Sequence, residues 1–251
     1  MGNWELSKMK IAVTFWGTGL YLNFLPQWYE RLEKYFLPSA DKHYFVYTDG
    51  ELDDAPDNVT RMEIPDYGFP ETFHMTFEEL LRLEENTKDF DWLVTVDADL
   101  YVQQEITYEE FFDDSKKYFG VHHPCHFMKM TPHDKYPGSY DHNEKSNAYI
   151  DDDLIDMDIY FQGCLWGGKI PYIFDMMRDI DEWTKEDVIK GTVGEYYEES
   201  YINKWFLLNR DEVNTLSSEY AYPELFKEYC NFPNRMMHLK KDNKALGNTR
   251  W

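Results

Sequence analysis

Apolar and β-branched residues in the first hundred positions form short runs separated by polar stretches. The segments at 10–15, 43–49 and 93–96 are rich in such residues and are bounded by charged or polar ones, a pattern that predicts buried strands. Between the first two runs, apolar residues at 24–36 recur three or four positions apart, which predicts an amphipathic helix. The order strand, helix, strand indicates a right-handed βαβ unit and therefore a parallel sheet.

Further elements are predicted on either side of the third strand. A short strand is expected at 59–64, and a helix is expected to begin at Thr76, since Thr76 and Glu79 have the spacing of a capping box. Another strand is expected at 118–122. The first hundred residues are therefore expected to form a nucleotide-binding half of an α/β fold.

The second half of the chain has a less regular pattern. Residues 123–150 are polar and rich in His, Pro and Gly, which predicts a long functional loop. Residues 160–170 combine aromatic residues with a glycine pair, which favours either close approach of the backbone to a ligand or a tight turn from strand to helix. Apolar residues at 173–180 have helical spacing and predict a core helix.

The strand at 93–96 ends in Asp97-Ala98-Asp99. Open α/β sheets bind ligands outside the carboxyl ends of their strands, so both carboxylates are expected where a ligand would lie. Two hard oxygen donors suit Mg²⁺ or Mn²⁺, which take one or two protein carboxylates together with substrate phosphates. An isolated Asp-x-Asp is more often a solvated turn. Because the motif in this chain follows a buried strand, a metal site and a solvated turn are here equally supported alternatives.

Charge limits the partners of the chain. Its 251 residues include 25 Lys and Arg against 48 Asp and Glu, a formal net charge of -23. The phosphate backbone of a nucleic acid and an anionic membrane surface would both be repelled, so neither is expected as a partner. An anionic substrate would need a local cation, and the basic residues of the segment 235–251 could close over such an anion.

Composition also bears on sugars, redox state and location. Aromatic residues make up 18% of the chain. Such rings are common on sugar-binding surfaces, but they also fit a core and rim rich in tyrosine. Three widely spaced cysteines imply no disulfide framework and fit a reducing compartment. The sequence contains no signal peptide and no apolar run of membrane-spanning length. A soluble, cytoplasmic protein without a membrane anchor is expected.

Two further clusters of functional residue types have competing interpretations. The segment 122–126 holds three histidines and a cysteine, which suggests zinc, but neighbouring residues of an extended segment point to opposite sides and no second pair completes the ligand set. Glu198 and Glu199 begin an amphipathic run. They either stabilise the positive end of a helix or use it to keep a carboxylate ionised for catalysis.

Five segments with functional residue types follow one another along the chain, at 15–21, 139–150, 162–168, 196–204 and 216–220, and Lys244 and Arg250 come after them. In this order they resemble glycosyltransferase family 6, which includes α-1,3-galactosyltransferase, the histo-blood-group A and B transferases and bacterial homologues without a membrane anchor. Lys244 and Arg250 have the spacing of the family's tail Lys and Arg. Three features differ from the family pattern. Asp141, His142 and Asn143 replace an acid and arginines, Tyr196-Tyr197 replaces Trp-His, and no arginine stands near His74.

The resemblance implies an α/β fold of the GT-A type, with a Rossmann-like nucleotide-binding half and a mixed central sheet. The whole chain, 1–251, would be one catalytic domain, with a nucleotide-binding half at 9–101, an acceptor and donor-sugar half at 102–234 and a basic C-terminal lid at 235–251. Animal members depend on a metal, whereas several bacterial members carry Asn-x-Asn and work without one. Asp97-Ala98-Asp99 therefore matches the metal-dependent pattern, and Mn²⁺ or Mg²⁺ is the expected cofactor.

The implied activity is the retaining transfer of a hexose from a UDP-sugar donor to a hydroxyl of an oligosaccharide or glycan acceptor. Glu199 is the implied catalytic glutamate, and Asp97 and Asp99 are the implied metal ligands. The implied nucleotide-binding residues are Phe15, Trp16, Gly17, Tyr21, Lys244 and Arg250. The donor-sugar residues are Gln162, Gly163, Cys164 and Glu198. The acceptor residues are His123, Tyr196, Tyr197 and Tyr222.

The family distinguishes donor sugars at the segment that contains Gly163 and Cys164. Cys164 is larger than alanine, so a donor without an acetamido group is expected, with UDP-galactose first and UDP-glucose second. Two functions of other classes stay open. One is a non-catalytic carbohydrate-binding module that uses the aromatic residues, and the other is a metal-dependent phosphohydrolase that uses Asp97 and Asp99.

Overall fold

The computed structural model describes residues 8–127, 140–151, 153–155, 158–242 and 244–246. The strands are β1 Lys10–Trp16, β2 Asp41–Thr48, β3 Val59–Glu63, β4 Trp92–Val96, β5 Leu100–Val102, β6 Tyr118–His122, β7 Phe161–Lys169, β8 Val213–Leu216, β9 Tyr222–Pro223 and β10 Met236–His238. The α-helices are α1 Leu25–Tyr35, α2 Glu71–Leu81, α3 Tyr108–Phe111, α4 Pro124–Phe127, α5 Tyr172–Lys190 and α6 Glu198–Leu208. Short 3₁₀ helices span Gly19–Phe24, Glu85–Thr87, Arg210–Glu212, Ser218–Ala221 and Glu224–Tyr229.

Seven strands form the central sheet in the order β3-β2-β1-β4-β7-β6-β8. The four strands from β3 to β4 are parallel, which confirms the predicted βαβ arrangement. Strand β7 runs antiparallel to both β4 and β6, and β8 is parallel to β6. The sheet is therefore mixed, and the expected α/β fold with a Rossmann-like half and a mixed central sheet is confirmed.

Both faces of the sheet are covered. Along β1, Ile11, Val13 and Phe15 pack in one buried cluster with residues of α1, whereas Ala12 packs in a second cluster with residues of α2, α5 and α6. Successive residues of a strand point to opposite faces, so the continuous apolar run of β1 serves two cores. In the part of the chain that the structure describes, no helix is long and apolar enough to cross a membrane.

Helix α2 begins earlier than predicted. It starts at Glu71, directly after Pro70, a residue favoured where a helix begins. Thr76 lies in its second turn and donates a hydrogen bond to the Thr72 carbonyl at 3.0 Å, and Glu79 is buried and pairs with Arg82. The prediction that Thr76 and Glu79 form a capping box is therefore wrong, since a side chain bonded back to its own helix cannot cap it.

The glycine pair of the segment 160–170 lies inside strand β7 rather than in a turn. A Cβ atom on Gly167 would stand 2.1 Å from the Leu93 carbonyl oxygen and 2.8 Å from the Phe119 ring. This glycine therefore permits close approach between neighbouring strands. Neither predicted role, contact with a ligand or a turn from strand to helix, applies to Gly167.

A second sheet, ordered β5-β10-β9, joins the C-terminal part of the chain to the segment after Asp99. Strand β10 pairs antiparallel with β5, with His238 opposite Leu100. The Leu239 amide then donates to the Asp99 carbonyl at 2.9 Å. These bonds place the beginning of the basic tail beside the Asp-x-Asp turn.

One buried carboxylate holds the loop at 140–149 against helices α5 and α6. Asp187 is 0% exposed, and its Oδ2 accepts hydrogen bonds from the Ser146 hydroxyl at 2.8 Å and the Asn147 amide at 2.6 Å. The same oxygen accepts from the Tyr201 hydroxyl at 2.9 Å. A buried carboxylate requires such donors because it has lost its hydration. Asp187 thus joins the loop to helix α6.

Candidate active site

The Asp-x-Asp turn is held by its neighbours in the sheet. The Asp97 amide donates to the Cys164 carbonyl at 2.9 Å, and the Asp97 carbonyl accepts from the Trp28 indole at 3.1 Å. The chain continues directly into β5, and Asp99 is only 2% exposed. Both carboxylates therefore lie at the carboxyl end of β4, where parallel sheets bind ligands.

Two basic side chains from the C-terminal segment contact Asp99. Its Oδ2 lies 3.2 Å from His238 Nε2 and 2.5 Å from Lys241 Nζ. Burial alone would raise the pKa of Asp99, but the charges and hydrogen bonds of His238 and Lys241 outweigh it and hold that pKa well below its usual range. Burial, and next the negative charge of Asp99, raise the pKa of Asp97.

Asp97, Asp99 and His238 form a candidate metal centre. Their ligand atoms lie within 4.8 Å of one another. Two ligands of one Mg²⁺, each at about 2.1 Å, lie at most about 4.2 Å apart, so a small rotation would close the set. Carboxylate oxygens and an imidazole nitrogen also suit Mn²⁺. The side chains present therefore fit the expected divalent cation.

The histidine-rich segment does not supply a comparable centre. His122 Nε2 lies 3.5 Å from His126 Nδ1. Within the described ranges, the only group of three potential metal ligands is the one at Asp97, Asp99 and His238. The second interpretation of Asp97 and Asp99, a solvated turn, does not fit the burial of Asp99.

Glu199 lies in the first turn of α6 with two hydrogen-bond donors on its carboxylate. The Gly163 amide donates to Oε2 at 2.8 Å, and the Tyr160 hydroxyl donates to Oε1 at 2.9 Å. Burial raises the pKa of Glu199 to about 7, although both hydrogen bonds act to lower it. A carboxylate with this pKa ionises near neutral pH and is held in one orientation, as a nucleophile or charge-stabilising group requires.

Strand β7 presents its predicted donor-sugar residues on alternate sides. A Cβ atom on Gly163 would lie 3.4 Å from Glu199 Cβ, so Gly163 faces the glutamate. Cys164 is 2% exposed and packs in the core cluster of α1. Gln162 is half-buried and its amide nitrogen lies 3.1 Å from His238 Nδ1. Glu198, also half-buried, begins α6 beside Glu199.

The predicted nucleotide-binding residues 15–21 span the end of β1 and the segment that follows it. Phe15 is fully buried and packs edge-to-face on Trp28, so its side chain belongs to the core. Trp16 stacks on Tyr47 with ring centroids 5.1 Å apart, and the Gly17 amide donates to the Tyr47 carbonyl at 3.0 Å. Tyr21 is half-buried, and the Lys241 ammonium lies 5.3 Å from its ring centroid. A nucleotide-binding role for this loop stays a prediction.

The predicted acceptor residues lie in three places. Tyr197 precedes α6 with a φ of 51°, which is strained for a residue with a side chain, and stacks on Phe73 at 5.1 Å. The adjacent Tyr196 amide donates to the Ser200 hydroxyl at 2.9 Å. Buried His123 accepts a hydrogen bond from the Cys125 amide, and burial lowers its pKa to about 3. Tyr222 lies on β9, next to β10.

Two residues at the site were not among the predicted site residues. Lys241 was expected only as one of the basic residues of the segment 235–251, and His238 was not expected at all. Lys244 is exposed, and Arg250 lies outside the described residues. No pattern in the sequence pointed to His238, because only the pairing of β10 with the distant strand β5 brings it beside Asp99. His74, at the position of the missing arginine, has a buried Nε2 with no hydrogen-bond partner among the described residues.

The chain is similar in sequence to known glycosyltransferases. The family model of glycosyltransferase family 6 matches residues 2–248. The chain is 24% identical over 222 residues to the O-antigen biosynthesis glycosyltransferase WbnI of Escherichia coli, covering 88% of this chain and 91% of that protein. It is 24% identical over 230 residues to globoside alpha-1,3-N-acetylgalactosaminyltransferase 1 of Mus musculus, covering 86% of this chain and 62% of that protein.

A third relative is histo-blood group ABO system transferase 1 of Rattus norvegicus. The chain is 22% identical to it over 255 residues, which cover 97% of this chain and 70% of the relative. The chain therefore spans nearly all of the bacterial relative but less than two thirds of the mouse globoside transferase.

Proposed function

Because the chain belongs to glycosyltransferase family 6, we propose that it transfers a hexose from a UDP-sugar to a hydroxyl of a glycan acceptor, with retention at the anomeric carbon. Galactose is the first expected sugar and glucose the second. Glycosyl transfer itself follows from the family, whereas the donor, the stereochemistry and the metal are parts of the proposal.

One observation carries this proposal. Two successive residues of β7 join the two groups of carboxylates, since the Gly163 amide donates to Glu199 and the Cys164 carbonyl accepts from the Asp97 amide. A single strand thus holds the glutamate proposed to act on the sugar beside the carboxylates proposed to bind a cation. This proximity supports cleavage of the bond between a sugar and a diphosphate.

Asp97, Asp99 and His238 would hold the divalent cation, and the bound cation would neutralise charge on the departing diphosphate. Lys241 adds a second positive charge at the same end of the sheet, between Asp99 and the Tyr21 ring. An anionic donor could therefore bind despite the negative charge of the whole chain. Lys244 and Arg250 stay predicted contributors to a lid over the diphosphate.

Glu199 would act at the anomeric carbon, as a covalent nucleophile or as the charge that stabilises an oxocarbenium-like state. Tyr160 and Gly163 hold both oxygens of its carboxylate. They also favour its ionised form, which either role requires. Glu198 would bind hydroxyls of the donor sugar, and Tyr196, Tyr197, His123 and Tyr222 are the proposed contacts of the acceptor.

The test is UDP release from a panel of UDP-sugars, with and without acceptor glycans and with EDTA. We expect release to require a metal and to fall strongly in Glu199→Gln and Asp97→Asn, while exposed Asp89→Asn serves as the control. Binding of sugars without turnover would instead indicate a carbohydrate-binding module. Release of inorganic phosphate from phosphate esters, without sugar transfer, would indicate a phosphohydrolase. Full activity in EDTA would contradict the role given to the metal.

A further inference from the structure

The side chain of Asn203 connects the two elements that meet at Glu199. Asn203 is 1% exposed and lies one turn after Glu199 on α6. Its Oδ1 accepts a hydrogen bond from the Phe161 amide at 2.7 Å, and its Nδ2 donates to the Phe161 carbonyl at 2.8 Å. The same Nδ2 donates to the Glu199 carbonyl at 2.9 Å. One buried amide group therefore bonds both to strand β7 and to the backbone of the glutamate.

The bonds from Asn203 to β7 resemble those of a neighbouring strand. The paired residues of β4 and β7 end at Val96 and Leu165, so Phe161 lies beyond the end of β4. There the Asn203 side chain bonds to both the amide and the carbonyl of Phe161, as a partner strand would. Buried peptide groups require such partners, because a group left without one costs free energy. Asn203 thus fixes the start of β7 to α6.

A bulge in β7 directs the Gly163 amide at the Glu199 carboxylate. Two adjacent residues of β6 pair with Gln162 and Trp166 of β7, which have three residues between them. Bulges beside active sites commonly redirect a group away from the regular strand pairing. Gly163 is one of these three residues, and its amide donates to Glu199 Oε2 at 2.8 Å.

We propose that Asn203 is a positioning residue that keeps both hydrogen-bond donors of Glu199 aligned with its carboxylate. The donors lie on either side of the residue that Asn203 binds, since Tyr160 directly precedes Phe161 and Gly163 follows two positions later. Fixing Phe161 against α6 therefore fixes the distances from both donors to the carboxylate. The inference rests on the proposed function only for the chemical role of Glu199, because the contacts of Asn203 do not involve a substrate.

Changes at Asn203 leave the titratable groups around Glu199 in place. These groups come from different parts of the chain: Tyr160, Cys164, Asp97, Cys125 and His238. Burial raises the pKa of Glu199 to about 7, its two hydrogen-bond donors lower it, Asp97 raises it and His238 lowers it. Loss of the Asn203 side chain should loosen the two donors, so the pKa of Glu199 should rise.

The experiment compares Asn203→Ala and Asn203→Ser in the full chain. The shorter side chains do not span the two groups of Phe161, and neither adds a charge. We expect kcat for UDP-sugar cleavage to fall roughly ten- to hundredfold with little change in KM for the donor, because a small displacement of a reacting group has such an effect. The acidic limb of the pH–rate profile should move to higher pH. Asn214→Ala is the matched control, since Asn214 on β8 donates to the Phe111 carbonyl, outside this network.

Carbon-13 magnetic resonance of labelled glutamate carboxylates gives a readout that a purely structural role would not change. The signal of Glu199, identified by its loss in Glu199→Gln, should titrate at higher pH in both Asn203 variants than in the unmodified chain and in Asn214→Ala. Asn203→Ser combined with Tyr160→Phe should shift the midpoint by less than the sum of the single changes, because both act on the same carboxylate. An unchanged midpoint in the Asn203 variants, or strictly additive shifts, would overturn the inference.

Hydrogen exchange in the unmodified chain supplies the test if thermal unfolding shows that neither Asn203 variant folds. The Phe161 amide bonds to Asn203, and the Gly163 amide bonds to Glu199. If Asn203 holds both segments together, the two amides should exchange with one opening free energy. Rapid exchange of the Gly163 amide while the Phe161 amide stays protected would contradict the positioning role.

Failure of this role is distinct from failure of the proposed function. A chain in which Asn203 controls the titration of Glu199, but which releases no UDP from any UDP-sugar, would refute the proposed function alone. A UDP-releasing transferase in which the midpoint of Glu199 does not depend on Asn203 would refute the positioning role alone.

Discussion

The hydroxyl of Tyr160 donates a 2.9 Å hydrogen bond to Glu199 Oε1, and Tyr160 is fully buried. A buried donor that cannot turn to water fixes the carboxylate in one orientation and stabilises its ionised form. The hydrogen bond between Tyr160 and Glu199 therefore affects both the orientation of the carboxylate and the pH at which it ionises.

Tyr160→Phe should move the acidic limb of the pH–rate profile to higher pH. Burial raises the pKa of Glu199 to about 7 and the Tyr160 hydrogen bond lowers it, so loss of the hydroxyl raises it further. At pH 7 we expect a roughly ten- to hundredfold loss of kcat, with partial recovery in more alkaline buffer. The measurement is kcat for sugar transfer across pH 5–9.

Tyr140→Phe is the matched control for this change. The Tyr140 hydroxyl donates to the Ile159 carbonyl, and its ring contacts the Tyr160 ring. Its pH profile should stay close to that of the unmodified chain. The same acidic limb in Tyr160→Phe and in the unmodified chain would show that the hydrogen bond does not control Glu199.

Glu199→Gln should abolish transfer and stabilise the fold at alkaline pH. A carboxyl whose folded pKa is raised favours folding fully below its unfolded pKa, and this contribution is lost as pH rises through the folded value of about 7. At pH 8 the unmodified chain therefore holds a poorly solvated charge that glutamine removes. We expect Tm of the variant to exceed that of the unmodified chain more at pH 8 than at pH 5.

Differential scanning calorimetry at the two pH values measures this difference. Glu182→Gln is a useful control, because it changes the same type of side chain at an exposed position on α5. An equal change of Tm at both pH values would contradict the assigned effect of burial on Glu199.

Shortening the basic tail should separate its contributions to nucleotide binding. A chain that ends at Met237 loses His238, Lys241, Lys244 and Arg250, and we expect severe loss of UDP affinity in the presence of Mn²⁺. A chain that ends at Asp242 keeps the two residues that contact Asp99 and should retain more of the affinity. Calorimetry of both forms gives the comparison. Equal affinities for UDP would show that His238 and Lys241 contribute nothing.

Donor choice is predicted to favour sugars without an acetamido group. Gly163 faces Glu199, and a methyl group there would lie 3.5 Å from Glu199 Oε2 without a severe clash. Gly163→Ala should therefore fold and lower kcat/KM for every hexose donor. Cys164→Gly should shift preference towards the acetamido sugar, and one small group in a pocket is worth about 1–3 kcal/mol.

The measurement is kcat/KM for UDP-galactose, UDP-glucose and UDP-N-acetylgalactosamine with each variant. A clear preference of the unmodified chain for the acetamido sugar would refute the size argument. An effect of Gly163→Ala alone would show that Gly163, rather than buried Cys164, borders the sugar.

The parallel half of the sheet was predictable because its signals are local. Each strand is a short apolar run, and α1 repeats its apolar residues every three or four positions. The Asp-x-Asp turn followed from the same pattern, since it directly ends a strand. Glu199 required the resemblance to a family, because two acids at the start of a helix are ordinary on their own.

Other features depend on contacts that no local pattern encodes. His238 reaches the site only because β10 pairs with β5, more than a hundred positions earlier in the chain. The glycines of β7 suggested a turn or contact with a ligand. The actual neighbours of Gly167 are a carbonyl on β4 and a ring on β6, and these contacts between strands could not be predicted from the local sequence. The start of α2 was missed because the spacing of Thr76 and Glu79 imitated a cap inside the helix.

Asp187 has a consequence for local unfolding. One oxygen of this buried side chain accepts bonds from the loop at 140–149 and from Tyr201 on α6, so separating either element exposes the same unsatisfied carboxylate. The loop and the first turns of α6 should therefore open as one cooperative unit. In native-state hydrogen exchange, the amides of Asn147 and Ser200 should report the same opening free energy, and Glu199 would lose its alignment in every such event.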